Sequence, residues 1–222
     1  MAMDAALRAA LLAVDCAALA DADKALRVMD AGIRAVKPGA KLVGPARSVR
    51  CHEDFLAVIR GLDAAQAGDV LVVDTGGSRR AVVGELFSLE AARRGLAGII
   101  VDGLVRDVRT LRELDLPVYA RGLCPTSGTV RDLGKIGCTI VCGGVSVAPG
   151  DIVVADDDGV VVASEEHFIK ILPAAREVER REAIVRERIA HGVGLIDMTN
   201  FNDHISRIER GEASRLAFRL DE

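Results

Sequence analysis

The pattern of apolar and polar positions predicts helices at both ends of the chain and strands in its centre. Apolar residues at helical spacing predict two helices in the first 40 residues, which end near Lys37-Pro38-Gly39. Helical spacing also predicts three helices farther along the chain, at 55–66, 84–95 and 108–114. Between them, unbroken apolar runs predict strands that are covered on both faces. These strands are expected at 42–51, 70–74, 98–102 and 118–119.

After residue 128 the pattern changes to closely spaced β segments. They are expected at 139–147, 151–155 and 160–163, and Asp158-Gly159 is typical of a hairpin turn between the last two. From Glu165 to about Ala190 the chain is charged and helical, and a polar tail follows. Central β–α–β units followed by hairpins predict an α/β fold with layers around a mixed sheet and helical appendages at both ends. No break in composition divides the chain, so one domain over 1–222 is expected.

Composition narrows the classes of function. Half of the residues are apolar but only 3% are aromatic, so Val, Ile, Leu and Ala must fill the core. The net charge is −4 and the basic residues are dispersed among acids, so nucleic-acid binding is not expected. No apolar run reaches the length of a membrane span. The apolar N-terminal stretch carries Asp4 and Asp15, which suits an amphipathic helix better than a signal peptide.

The cysteines and histidines do not form a recognisable metal or disulfide pattern. Five cysteines, an odd number without CxxC spacing, predict free thiols and a cytoplasmic protein. Cys138 and Cys142 lie in an apolar run, and we expect both to be buried. The four histidines are scattered, and each is expected to be structural or exposed.

The segment Gly84-Glu85-Leu86-Phe87 is the first candidate site. Gly84 allows a ligand to approach the backbone, and the N–H groups of Leu86 and Phe87 fall in the first turn of a helix, where they lack helical acceptors. Together with the helix dipole, these groups could hold a carboxylate or carbonyl oxygen. The alternative is an ordinary helix start at which Glu85 complements the dipole.

The pair Arg106-Asp107 follows a predicted buried strand and is the second candidate site. Arginine presents a rigid fork to a carboxylate, and aspartate is a hard oxygen ligand for Mg²⁺ or Mn²⁺. The alternative is a surface ion pair with Arg109, Arg112 or Glu113. Because both candidate segments lie on connections expected to leave the same sheet edge, the sequence favours one shared site for a small polar anion beside a divalent metal.

Three longer strings carry a resemblance to a known family. GDVLVVDTGG, GELFSLEAARRGLAGIIVDGLVRDV and GGVSVAPGDIVVADDDGVVV resemble the 4-hydroxy-4-methyl-2-oxoglutarate aldolases, over roughly residues 15 to 200. These are class II pyruvate aldolases that share a fold with the regulator of ribonuclease activity A. The resemblance implies a swivelling β/β/α-type layered sandwich. It also implies that residues 84–87 and Arg106 bind substrate, and that Asp107 holds the metal.

The implied activity is that of a lyase dependent on Mg²⁺ or Mn²⁺, which cleaves 4-hydroxy-2-oxo dicarboxylates to pyruvate and a second 2-oxo acid. Arg106 would stabilise negative charge, and Glu85, where many members have aspartate, would position water for proton transfer. Oxaloacetate decarboxylation through the same enolate is an expected second activity. The alternative is a non-catalytic regulator that binds a ribonuclease.

The resemblance further implies assembly as a homotrimer or a dimer of trimers, without a nucleic-acid or membrane partner. Segment 165–222 would then contact a neighbouring subunit, and an acid from it would close the neighbour's pocket. The candidates for this acid are Glu177, Glu179 and Glu182, and the sequence does not choose among them. For each of the three, a solvated helix face is the alternative.

Overall fold

The computed structural model describes residues 3–219, in which strands and helices form an α/β structure around a curled mixed sheet. The strands are β1 (Arg27–Val28), β2 (Arg34–Ala35), β3 (Leu42–Arg50), β4 (Val70–Asp74), β5 (Ala81–Val83), β6 (Gly98–Val105), β7 (Val118–Leu123), β8 (Lys135–Ile136), β9 (Ile140–Cys142), β10 (Val145–Val147), β11 (Ile152–Asp156) and β12 (Gly159–Ala163). The helices are α1 (Ala5–Leu12), α2 (Cys16–Ala22), α3 (Leu56–Ala64), α4 (Glu85–Arg93), α5 (Val108–Glu113), α6 (Glu165–Ala190) and α7 (Phe201–Glu209), with a short 3₁₀ helix at Ile196–Met198.

The order of strands requires the main sheet to curl. Its strands lie in the order β1-β12-β11-β3-β4-β6-β7-β2, with β5 beside β6 and β8 beside β3, while β9 and β10 form a separate hairpin. The pairs β3–β4, β4–β6 and β6–β7 are parallel, and the pairs toward both ends of the order are antiparallel. Although β1 and β2 lie at opposite ends, the short connection between Val28 and Arg34 can span only about 22 Å. Seven strand spacings in a flat sheet would need about 34 Å, so the sheet bends back on itself.

Both faces of the central strands are buried, which explains their unbroken apolar runs. Successive side chains point to opposite faces of a strand, and in β4 they enter two different cores. Leu71 and Val73 pack in the cluster that includes residues of α3, α4 and α5. Val70 and Val72 pack in the interior of the curled sheet, with residues of β9, β11 and β12. A third cluster joins the other face of β11 and β12 to α1, α2 and α6. The predicted layered α/β fold class is therefore confirmed.

One prediction at the N-terminus is wrong in part. Two helices form as expected, but they end at Leu12 and Ala22, and residues 23–40 contain β1 and β2 instead of helix. The buried residues Leu26, Met29 and Ile33 recur at helical spacing, which misleads a reading based on periodicity. Strand β1 pairs with β12 and β2 pairs with β7, and these pairings supply the backbone hydrogen bonds that a helix would otherwise provide. The tertiary contact thus overrides the helical spacing of the apolar residues.

Two further expectations differ from the structure. The β segment expected at 139–147 turns at Gly143 and Gly144, both with positive φ, and forms the two paired strands β9 and β10. The expected polar tail contains α7.

Most other elements follow the sequence pattern. Helix α6 spans the predicted Glu165–Ala190, and β11 and β12 form the predicted hairpin, in which Asp156 pairs with Gly159. Strands β6 and β7 extend to Val105 and Leu123, farther than their apolar runs indicated. The short strands β5 and β8 were missed because each has only two or three residues. Among residues 3–219, no helix combines the length and the apolarity that crossing a bilayer would require.

Candidate functional site

The fold brings the two candidate segments together at the carboxyl ends of neighbouring strands. Strands β5 and β6 are parallel, with Val83 in register with Val105. One residue beyond β5, Gly84 caps α4, and directly beyond β6, Arg106 leads to the cap of α5. The N–H of Arg106 donates to the carbonyl oxygen of Val83 at 3.0 Å, which fixes the two connections to each other. Two segments therefore share one sheet edge although twenty residues lie between Glu85 and Arg106 in the sequence.

The close approach of the two connections depends on the missing side chain of Gly84. A Cβ atom on Gly84 would lie 2.5 Å from Asp107 Oδ2 and 2.9 Å from Arg106 Cγ. The backbone of Gly84 is extended, with φ −151° and ψ −162°, so its role is to provide space and not a left-handed conformation. Any larger residue would push the Arg106-Asp107 pair away from α4.

Asp107 is held in an unusual backbone conformation with one carboxylate oxygen engaged. Its φ of 58° and ψ of 39° lie in the left-handed region, which is uncommon for a residue other than glycine and is found often at functional sites. Its Oδ2 accepts a hydrogen bond from the N–H of Glu85 at 3.1 Å and lies 3.4 Å from Arg106 Nε. Its Oδ1 has no hydrogen-bond donor within residues 3–219. This oxygen is available to a ligand.

The start of α4 offers further polar groups. The N–H groups of Leu86 and Phe87 have no acceptor in the described part of the chain, as expected for the first turn of a helix. The Leu86 side chain is 68% exposed, whereas the Phe87 ring packs on Phe55 at a centroid distance of 5.5 Å. Glu85 is partly buried, and its Oε2 accepts a hydrogen bond from Thr110 Oγ1 at 2.9 Å.

A cavity of about 280 Å³ opens at this edge of the sheet. It is lined by Phe55, Ile59, Ala81, Val82, Val83, Gly84, Glu85, Leu86, Phe87, Arg106, Asp107 and Ser127. All six residues that the sequence suggested for the site therefore lie on one cavity. Its apolar wall and few converging polar groups are typical of a small-molecule site, and its volume suits a small acid.

Three contributors to this region were not among the residues that the sequence motifs suggested. Ser127 reaches the cavity because Ala81 pairs with it as an isolated bridge, a contact between residues 46 positions apart that no local pattern reveals. The sequence pattern predicts for Phe55 only the start of a helix, and Phe55 does cap α3, but its ring also lines the cavity. Thr110 had a usable signal, since it lies three residues after Asp107 and thus in the same helical turn.

The three C-terminal acids all lie on α6 and all contact their own chain. Hydrogen bonds from Arg180 and Arg181 lower the pKa of Glu177 to about 2. Glu179 Oε1 accepts from the N–H of Asp15 at 2.9 Å. Glu182 has a longer contact, at 3.6 Å from Arg186. Of the three, Glu182 is therefore the least constrained by its own chain.

None of the cysteines or histidines lines this cavity. The five cysteines are free thiols, as predicted, and Cys142 is buried, but Cys138 is partly exposed, contrary to expectation. Cys138 follows the turn at Gly137, before β9 begins, and so lies at the margin of the core. His167 Nε2 contacts Asp23 at 2.8 Å. Within residues 3–219, no group of three or more His, Cys, Asp or Glu side chains is arranged to bind a metal by itself.

Comparison with known proteins assigns the chain to a family. A family model described as RraA-like, Aldolase/RraA, matches residues 15–162, and the chain belongs to this family. It is 33% identical to a Halalkalibacterium halodurans protein provisionally named a 4-hydroxy-4-methyl-2-oxoglutarate aldolase, over 177 residues that are 77% of this chain and 84% of the relative. The family resemblance inferred from the three sequence strings is thereby confirmed.

Solved structures support the same relationship. A Streptomyces coelicolor protein, described as an unusual member of the RNase ES inhibitor RraA family, aligns with a TM-score of 0.74 and 33% identity over 84% of this chain and 98% of that one. The RNA-processing inhibitor RraA from Thermus thermophilis aligns with a TM-score of 0.64 and 31% identity over 68% of this chain and 93% of that one. The relatives thus include a protein with an aldolase name, a protein described as an inhibitor and an unusual member of an inhibitor family.

Proposed function

We propose that this protein is a divalent-metal-dependent carbon–carbon lyase. Its substrates would be 4-hydroxy-2-oxo dicarboxylates such as 4-hydroxy-4-methyl-2-oxoglutarate, and its products pyruvate and a second 2-oxo acid. The observation that carries the proposal is the convergence of the Arg106 guanidinium, the Asp107 carboxylate and the free N–H groups of α4 on one small cavity. The aldolase name of the H. halodurans relative supports the same reaction.

The donor set at the cavity suits Mg²⁺ or Mn²⁺. Asp107 Oδ1 has no donor in the described chain, and Mg²⁺ in proteins commonly uses one or two carboxylates together with waters and substrate oxygens. We therefore assign Asp107 as the protein's direct ligand. When bound there, the cation would act as a Lewis acid on the 2-oxo acid unit of the substrate.

The residues of the chain then have distinct tasks. The N–H groups of Leu86 and Phe87 would hold oxygens of the pyruvyl unit, and Arg106 would bind the substrate and stabilise negative charge as the bond breaks. In cleavage, the 4-hydroxyl loses its proton, the C3–C4 bond breaks, and C4 becomes a carbonyl. The electron pair remains on the pyruvyl unit as an enolate, and protonation at C3 gives pyruvate. Glu85 would move these protons through a water molecule.

The same enolate forms when oxaloacetate loses carbon dioxide, so we propose oxaloacetate decarboxylation as a second activity. Both reactions release pyruvate, and one coupled assay measures both. Purified protein should release pyruvate from 4-hydroxy-4-methyl-2-oxoglutarate or oxaloacetate, EDTA should stop the reaction, and Mg²⁺ or Mn²⁺ should restore it. Asp107→Ala and Arg106→Ala should each abolish turnover without changing the melting temperature by more than a few degrees.

Matched controls are available on the same helix and the loop that follows it. Arg109 is 93% exposed on α5 and Asp115 is fully exposed just beyond it. Arg109→Ala and Asp115→Ala remove the same charges at the surface and should retain turnover. Pyruvate release that survives both chelation and the Asp107→Ala change would refute the metal-dependent assignment.

A second candidate function is regulation of a ribonuclease. The solved relative at 31% identity is described as an RNA-processing inhibitor, and the one at 33% as an unusual member of the RNase ES inhibitor RraA family, which favours this candidate. It predicts tight association with a ribonuclease and no pyruvate release that depends on Asp107. A binding measurement with a purified ribonuclease, run beside the pyruvate assay, separates the two functions.

We also propose assembly as a homotrimer or a dimer of trimers, in the cytoplasm, with segment 165–222 against a neighbouring subunit. Support comes from α7, in which Phe201, Ile205 and Ile208 recur at helical spacing and all remain exposed. Among the three C-terminal acids we favour Glu182 as the one that closes a neighbour's cavity. Light scattering should give three or six copies, and Glu182→Gln should reduce turnover more than Glu177→Gln does.

A further inference from the structure

Glu85 is held at two points by a single turn of α5. Its N–H donates to Asp107 Oδ2 at 3.1 Å, and its Oε2 accepts a hydrogen bond from Thr110 Oγ1 at 2.9 Å. Asp107 caps α5 and Thr110 lies three positions farther along its first turn. Residues at this spacing lie on the same side of a helix, so α5 contacts both the backbone and the carboxylate of Glu85.

We propose that Thr110 is a positioning residue that fixes the Glu85 carboxylate for proton transfer, an inference that rests on the lyase function proposed above. A glutamate side chain has several rotatable bonds and loses rotamer freedom when it is held in place. The hydroxyl of Thr110 holds Oε2, while Oε1 has no donor in residues 3–219. One oxygen thus anchors the side chain, and the other is free to exchange a proton.

The contact also gives a reason for the glutamate at position 85. The backbone N–H of this residue is tied to Asp107, so its Cα position is fixed relative to α5. From that fixed point, the glutamate carboxylate reaches Thr110 at 2.9 Å. An aspartate, shorter by one methylene, would place its carboxylate closer to the backbone and out of contact with the Thr110 hydroxyl. Thr110 and Glu85 should therefore act as a pair.

The first test compares two substitutions of Thr110. Thr110→Val keeps the shape of the side chain but removes the hydroxyl, and Thr110→Ser keeps the hydroxyl. A hydrogen bond to a charged group has a strength that corresponds to about a tenfold to hundredfold effect on rate. Thr110→Val should lower kcat by this factor with KM and melting temperature nearly unchanged, and Thr110→Ser should stay within about threefold of wild type. The exposed Thr139 provides the control, and Thr139→Val should change nothing.

A second readout follows the proton directly. Exchange of the methyl protons of pyruvate for deuterium, measured by NMR, should fall in Thr110→Val by the same factor as kcat. In a Glu85→Asp background, Thr110→Val should have less than a twofold further effect, because the shorter side chain no longer reaches position 110. A merely structural role for Thr110 would lower the melting temperature and would act equally in both backgrounds.

The outcomes separate the two proposals. If wild-type protein releases pyruvate but Thr110→Val leaves kcat and proton exchange unchanged or raised, the positioning role is overturned while the lyase function stands. The same holds if Thr110→Ser is as impaired as Thr110→Val, or if the loss persists undiminished beside Glu85→Asp. A wild-type protein that releases no pyruvate from any 4-hydroxy-2-oxo dicarboxylate or from oxaloacetate would overturn the lyase function, and the positioning role with it.

Discussion

Gly84→Ala tests the geometry of the site with the smallest possible change. The added Cβ would lie 2.5 Å from Asp107 Oδ2, whereas an ordinary contact begins at 3.4 Å. The Asp107 carboxylate must therefore retreat by about 0.9 Å, and a misplacement of about 1 Å at a reacting centre costs about a hundredfold in rate. The Arg106 side chain, with Cγ at 2.9 Å from the new atom, must shift as well.

We expect kcat/KM for pyruvate release to fall about a hundredfold in Gly84→Ala, which corresponds to about 2.7 kcal/mol of transition-state stabilisation. The backbone of Gly84 is extended, so alanine introduces no conformational strain of its own, and the melting temperature should change little. Steady-state kinetics at saturating Mg²⁺ would measure the effect, with thermal unfolding as the measure of folding.

Gly122→Ala is the matched control for this experiment. A Cβ on Gly122 would meet Leu104 Cδ2 at 3.4 Å, which is an ordinary contact. Gly122 lies in β7 and does not line the cavity that holds Asp107. Gly122→Ala should therefore keep nearly full activity. If Gly84→Ala also stayed within threefold of wild type, the close packing of α4 on Asp107 could not be what positions the carboxylate, and the reasoning would be refuted.

Two further predictions concern stability and thiol reactivity. Burial alone would raise the pKa of the Asp54 carboxyl. Hydrogen bonds from the N–H groups of Arg131 and Leu56 and from the hydroxyl of Thr129 outweigh the effect of burial, so the pKa of Asp54 is lower than its usual value. A group with a lowered pKa in the folded state stabilises the fold above its unfolded pKa of about 3.9, and this contribution is lost as the pH falls through the folded value. Asp54→Asn should therefore reduce the free energy of unfolding at pH 7 by about 1–3 kcal/mol. Urea titrations should show the difference shrinking below about pH 4, and a difference that is constant with pH would contradict the assignment. For the thiols, burial raises the pKa of Cys51 to about 12 and raises those of Cys16 and Cys142 even further. In native protein at pH 8, a disulfide reagent should react with the partly exposed Cys124 and Cys138 and reach all five cysteines only after denaturation, whereas rapid labelling of Cys51 would contradict its burial.

The sequence predicts an element correctly where its pattern of apolar residues matches the faces that the fold buries. The strand Val70–Asp74 has only apolar side chains before its aspartate because both of its faces pack in cores, so this apolar run predicted its limits correctly. Gly95 correctly predicted the end of helix α4. Its φ of 73° is left-handed, and the helix ends there with hydrogen bonds from the N–H of Gly95 to the carbonyl oxygen of Ala92 and from the N–H of Leu96 to the carbonyl oxygen of Ala91.

The remainder of the structure depends on contacts that the local sequence does not encode. Leu26, Met29 and Ile33 have the spacing of a helix face, yet they enter two different cores. Leu26 packs among residues of α1, α2 and α6, whereas Met29 and Ile33 pack inside the curled sheet, among strands from distant parts of the chain. At the site, the sequence predicted that the connections carrying Gly84 and Arg106 leave one sheet edge, although it did not predict β5, the strand that leads to Gly84. The wall supplied by Ser127 could not be predicted, because it depends on a single bridge to Ala81.

The closure of the main sheet has a consequence for how copies of this chain can associate. The edge strands at the two ends of the strand order, β1 and β2, have two residues each and are joined by residues 29–33. An exposed edge strand normally invites another chain to extend the sheet through backbone hydrogen bonding, and very short edges discourage this. At these two positions a second molecule finds too little free backbone to add a strand. If copies of the chain assemble as proposed, contacts at these two edges would have to be made by side chains, so their pairing would depend on the sequence at those positions.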